Sequence, residues 1–122
     1  MAKRKPKSPI AGRWNILSMT GWDQEYLHVR GPAFIEFSPS HTGEFHFGYV
    51  QGQMECRNAE KHGKPAVEFT WEGADEMEPE SGYGWAALEG DALVGVLAFE
   101  HGDESGFTAQ RVEPRAKRSS RS

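Results

Sequence analysis

The chain has 122 residues, 26% of them charged and 37% hydrophobic, with a formal net charge of −4 at pH 7. That length suits one domain with a core able to stand without disulfides or a structural metal, and the single Cys56 excludes an internal disulfide framework. No apolar run is long enough for a signal peptide or a membrane span, so the expected setting is reducing, cytoplasmic and free of membrane.

The charge is divided by position. Residues 1–8 and 113–122 hold eight basic residues (Lys3, Arg4, Lys5, Lys7, Arg115, Lys117, Arg118, Arg121) against Glu113, a net of +7 that leaves −11 for the rest. Segments so rich in Lys, Arg, Ser and Pro have little apolar surface to bury, so 1–8 and 114–122 are expected to be disordered basic tails around one domain over 9–113. No aromatic is interleaved among the tail charges for base stacking, which favours a solubilising or self-shielding role over nucleic-acid binding.

Between the tails, short alternating runs recur every eight to twelve residues, the pattern of an all-β sandwich or barrel. The first strand is expected at 12–19. Residues 20–31 then break the rhythm: Thr20 is a candidate N-cap with Asp23 three positions on, and Gly31 with Pro32 makes a stop. A short helix there would present Trp22, Tyr26 and Val29 as a lid on apolar surface. Strands follow at 33–38 and 43–50, the latter with Phe45, Phe47 and Tyr49 on one face and Glu44 and His46 on the other. A two-residue loop at Gln51-Gly52 leads into 53–58 and would set Tyr49 against Met54, Phe47 against Cys56 and His46 against Arg57. The fifth strand, 66–72, opposes Val67, Phe69 and Trp71 to Glu68, Thr70 and Glu72, and a long acidic loop over 73–81 separates it from the sixth, 82–88. Turns at Gly90-Asp91 and Gly102-Asp103 set off the last two strands, 92–100 and 105–112. Eight strongly twisted strands must curl shut or split, and closure removes the edges, so the expected fold is an eight-stranded antiparallel up-and-down barrel with a short helix after the first strand.

The pair Gly12 and Trp14 on the first strand, with Arg111 near the end of the last, resembles the calycin superfamily of lipocalins and fatty-acid-binding proteins. In that superfamily a Gly-x-Trp strand is crossed by an Arg from the final strand. The resemblance spans about residues 10–113 and implies a lipocalin-like barrel closed at one end by Arg111 over Trp14. The segments Trp22-Asp23-Gln24, Gly43-Glu44-Phe45, Val50-Gln51-Gly52 and Phe69-Thr70-Trp71-Glu72-Gly73 also resemble a group of uncharacterised bacterial proteins, which implies a related fold and no particular activity.

Alternating connections in such a barrel bring the lid, the Gln51-Gly52 turn and the 73–81 loop to one mouth, with Trp14 and Arg111 toward the other end. The carboxylates Glu72, Asp75, Glu76, Glu78 and Glu80 match no EF-hand spacing, and as a solvated rim they would disfavour anionic ligands. The five histidines show no ligand spacing, so neither a metal nor another cofactor is expected. No acid–base pair or activated nucleophile identifies an enzyme, and Cys56 reads as a small core residue.

The aromatic excess carries the functional expectation. Trp22, Tyr26, Tyr49, Trp71, Tyr83 and Trp85 could line the mouth and lumen and bind a small neutral or cationic hydrophobic ligand. The alternative is a filled barrel that serves as a protein-interaction module. Both faces of the seventh strand are apolar, and the strip Leu88, Val94, Val96 and Ala98 is expected outside the barrel, where a homodimer would cover it.

Overall fold

The computed structural model describes residues 9–112, so the expectations for 1–8 and 114–122 fall outside the described residues. Eight antiparallel strands form the wall in chain order: β1 (Gly12–Met19), β2 (Phe34–Phe37), β3 (Thr42–Phe47), β4 (Val50–Lys61), β5 (Lys64–Asp75), β6 (Glu78–Glu89), β7 (Ala92–Phe99) and β8 (Glu104–Arg111). The strands pair consecutively, and β8 returns to β1 through Trp14 opposite Arg111, so the sheet is a closed barrel. A short helix, α1 (Gln24–Leu27), follows β1. The architecture is consistent with a lipocalin-like or calycin-like fold. No helix among the described residues is long and apolar enough to cross a membrane.

Alternation decides which side chains enter the lumen, with one local adjustment. On β1, Trp14, Ile16 and Met19 are all buried although the last two are three residues apart. The β1/β8 register shifts between Ile16 and Ser18. That bulge leaves Leu17 outside, 45% exposed, and restores the inward parity for Met19.

Several turns differ from the sequence expectation. The β3/β4 hairpin turns at Gly48-Tyr49, three residues earlier than Gln51-Gly52, so Phe47 faces Val50, Phe45 faces Gly52 and His46 faces Gln51. Gly48 has φ 58, which supplies the left-handed turn residue. Gly52 serves packing instead: a Cβ there would lie 2.6 Å from the Phe45 ring and 2.8 Å from the Trp71 ring. Cys56 accordingly pairs with Phe69 and not with Phe47, and Arg57 pairs with Glu68 and not with His46.

The expected acidic loop over 73–81 is mostly strand. β5 and β6 stay paired to Asp75 opposite Glu78, and only Glu76 and Met77 make the turn. His62 and Gly63, with φ 53 and 78, form a further tight turn between β4 and β5. The helix is only four residues, and its N-cap is Asp23, whose side chain accepts from Tyr26 N–H, so Trp22 lies just before the helix and Thr20 is not its cap.

The expected closed end is present. The Arg111 guanidinium lies 4.3 Å from the Trp14 ring centroid and donates to the carbonyls of Ala11 (2.7 Å) and Pro9 (2.6 Å). Trp14 is 1% exposed, and its indole N–H donates to the Ile10 carbonyl at 2.9 Å. Both donors are thus satisfied while one ring seals the base of the barrel.

Candidate functional site

The six aromatic residues singled out from the sequence fall into two groups on opposite sides of the wall. Trp22, Tyr26 and Tyr49 gather at the mouth, with Trp71 beneath them in the lumen. The Trp22 ring is 4.9 Å from Phe47 on β3 and 6.0 Å from Phe99 on β7, so it bridges opposite walls. It stacks on Tyr26 at 6.1 Å, and Tyr26 meets Tyr49 edge-on at 5.9 Å. The Tyr26 hydroxyl accepts from Tyr49 N–H at 3.2 Å, and Leu27 O accepts from Gly48 N–H at 2.9 Å, tying the helix to the β3/β4 turn. A Cβ on Gly48 would overlap the Tyr26 ring. Burial pushes the Tyr26 phenol above its ordinary range.

Rings continue down the lumen. Trp71 is edge-on to Phe45 at 5.0 Å and to Phe99 at 5.1 Å, and its N–H donates to Ala98 O at 3.1 Å. Lower down, Phe37 on β2 reaches Phe69 on β5 at 6.3 Å, three strands away. The wall is thinned to receive these rings: a Cβ on Gly82 would come 2.8 Å from the Trp71 indole nitrogen, and one on Gly84 2.7 Å from the Phe69 ring. The β5 rings of Trp71 and Phe69 therefore fill space that the β6 glycines vacate.

Tyr83 and Trp85 are on the outer wall, a correction of their expected place in the lumen. The reason is parity: Gly82, Gly84 and Ala86 face inward, so the residues between them face out. Tyr83 opposes Ala98, Trp85 opposes Val96 and Ala87 opposes Val94. Tyr83 is 55% exposed. Leu88 is corrected in the other direction. It pairs with the buried Leu93 and packs against the core, so it leaves the outer strip while Val94, Val96 and Ala98 remain in it.

This outer surface holds a groove of about 630 Å³ lined by Glu55, Arg57, Glu68, Thr70, Tyr83, Trp85, Val96 and Glu104, with Cys56, Phe69 and Gly84 at its floor. Arg57 grips Glu68 through Nη2 at 2.6 Å and Nε at 3.1 Å, which holds that carboxyl below its usual range. The Lys61 ammonium lies 4.8 Å from the Trp85 ring centroid. Burial raises the Cys56 thiol to about 11, so at neutral pH it is not a thiolate nucleophile.

One cluster escaped the sequence reading. His101 lies between two carboxylates at the mouth, with Nδ1 3.2 Å from Glu80 and Nε2 3.0 Å from Asp103, and its ring tilts against Phe99 at 5.1 Å. The bond to Asp103 and then the one to Glu80 raise its pKa. Glu80 is 21 residues away in sequence, and only the β6/β7 pairing brings it near, so no local spacing could have revealed the trio. His46 moves oppositely: burial, then the nearby Arg30, lower it. Compared with protein-family models, curated proteins and solved structures, the chain has no significant match in any of the three.

Proposed function

We propose that the protein is a non-enzymatic interaction module, a filled barrel that meets a second copy of itself through the outer wall of β6 and β7. The observation that carries this reading is the inversion of side-chain size on β6, where glycine and alanine face the lumen while Tyr83 and Trp85 face out. Rings that meet across the lumen at the levels of Trp22, Trp71 and Phe37 leave the aromatic groove outside as the better-supported contact surface than a ligand cup under the lid. Tyr83, Trp85, Val94 and Val96 form a contiguous patch there, in which the smaller Ala87 and Ala98 are already covered. Tyrosine and tryptophan suit such a role because each covers a large area with few torsions to freeze. A patch that matches its own copy across a two-fold axis is the commonest route to a soluble dimer.

Sedimentation of the wild type and of Val96→Glu tests this. The wild type is expected to associate at micromolar concentration, and the variant to stay folded and monomeric. A wild type that stays monomeric removes the self-association, and a folded Val96→Glu that still dimerises removes this wall as the interface.

A further inference from the structure

Three turns meet at a small cavity on the outside of the barrel. Arg30 comes from the turn after α1, Tyr49 from the β3/β4 turn, and Glu76 with Met77 from the β5/β6 turn, while His46 on β3 and Gln51 on β4 complete a wall around about 330 Å³. His46 stands between the buried Phe45 and Phe47, and Gln51 between the buried Val50 and Gly52, so both point away from the lumen. The cavity shares no lining residue with the outer groove. Backbone bonds fix its frame: Tyr49 O accepts from Glu76 N–H at 2.7 Å, and Leu27 O accepts from Gly48 N–H at 2.9 Å. The His46 ring is held by stacking, 6.4 Å from Phe34, which in turn carries the Arg13 guanidinium 3.9 Å from its centroid.

The polar side chains in this frame have no protein partners. Among the described residues Arg30, His46, Gln51 and Glu76 make no side-chain hydrogen bond or ion pair. Elsewhere on the outer wall opposite charges close on each other, as Arg13 does with Glu36 at 3.1 Å and Arg57 with Glu68 at 2.6 Å. Arg30 and Glu76 line one cavity and stay apart. The Arg30 guanidinium lies over the Tyr49 ring, 5.2 Å from its centroid, a contact that leaves its in-plane N–H donors open. Glu76 holds φ 62, where glycine is the less strained residue, so turn geometry does not account for its carboxylate. Burial and then Arg30 lower the pKa of His46, so at neutral pH its imidazole is uncharged and offers one donor and one acceptor.

This arrangement selects by charge. A simple anion drawn to Arg30 would also meet Glu76, and a simple cation drawn to Glu76 would also meet Arg30. A molecule with a carboxylate and an ammonium satisfies both. The volume is at the lower end of the range of about 300–1,000 Å³ for small-molecule sites, so the two charges must lie close together, as they do in an α-amino acid. Tyr49 and the 87% exposed Met77 supply apolar contact for its side chain.

We propose that this cavity binds a free α-amino acid, with its carboxylate on Arg30, its ammonium on Glu76 and its side chain against Tyr49 and Met77. The site is independent of the β6/β7 wall and adds a small-molecule ligand to a protein that the wall alone would make a pure contact module.

The test records backbone amide spectra of the full chain with each standard L-amino acid at about 10 mM, enough to reveal a millimolar site. At least one should give saturable shifts at Arg30, Tyr49, Gln51, Glu76 and Met77. For the tightest binder, the deaminated carboxylic acid and the decarboxylated amine should each bind at least about fivefold more weakly. Arg30→Gln should weaken the amino acid by about fivefold without weakening the amine, and Glu76→Gln should weaken it equally without weakening the deaminated acid. Both positions are exposed, so the spectra should otherwise match wild type. No saturable shift with any amino acid overturns the inference, as do shifts centred outside this cavity or undiminished binding in both variants. An analogue that binds as tightly as its parent removes the zwitterion. Val96→Glu should bind as wild type does, so loss of the dimer leaves this site standing, and loss of the amino acid in that variant would move the ligand to the outer groove and overturn the assignment.

Discussion

The two faces of β6 are built by opposite rules. Inside, Gly82, Gly84 and Ala86 bring almost no side chain, because the Trp71 and Phe69 rings of β5 and the backbone of β7 already occupy that space at the two glycines. Outside, Tyr83 and Trp85 place large rings where a barrel needs none for its own core. Inward side chains are constrained by volume from all sides, so their size is set by neighbours far away in sequence. The outer wall has no such constraint, and in the proposed reading its large aromatics serve contact with a second copy.

Substitutions on the two sides should therefore separate. The largest effect is expected from Trp14→Ala, which removes a ring that seals the lumen and leaves Arg111 without its stacking partner. A loss of about 3–5 kcal/mol is expected from urea unfolding, and a midpoint unchanged from wild type would reject the seal. Gly84→Val comes next. Its side chain would meet the Phe69 ring and the Val96 carbonyl, at a cost of about 1–3 kcal/mol or more. A fully stable Gly84→Val would show that the lumen has slack the ring contacts do not suggest.

On the outer side, Tyr83→Ser should change folding stability by less than about 0.5 kcal/mol while weakening self-association in sedimentation. A large stability loss with association intact would make the ring structural. The smallest effect concerns pH. The folded-state pKa of His101 is raised by Asp103 and Glu80, so the stabilisation from its charged form is complete below the unfolded value of about 6.5 and is lost as pH rises through the higher folded value. Wild type should lose a little more thermal stability between pH 6 and 8 than His101→Gln, and equal losses would discount the carboxylate contacts.

The two faces also differ in how far they could be read from sequence. Strand positions and the Gly12, Trp14 and Arg111 closure were legible because alternation is local and period-two. The outward placement of Trp85 and Ala87 follows from the same alternation once the inward glycines are recognised, yet an aromatic residue taken as a lumen lining hides it. Gln51-Gly52 made an equally plausible turn to Gly48-Tyr49, and the choice fell to Phe45 and Trp71, whose rings leave Gly52 no room for a side chain. The acidic run from Glu72 to Glu80 reads as a loop by composition, but cross-strand pairing held it as strand up to Asp75 and from Glu78 on.

By itself the sequence determined the all-β class, the eight-strand count, closure of the barrel and the chemistry of its base, because these depend on residue period and on a few residue types whose roles are fixed by shape and charge. The tertiary structure alone decided hairpin register, the side of the wall on which Tyr83, Trp85 and Leu88 stand, and the meeting of His101 with Glu80. Each of these depends on which distant side chain fills a given volume, and that is set only when the strands have paired around one shared interior.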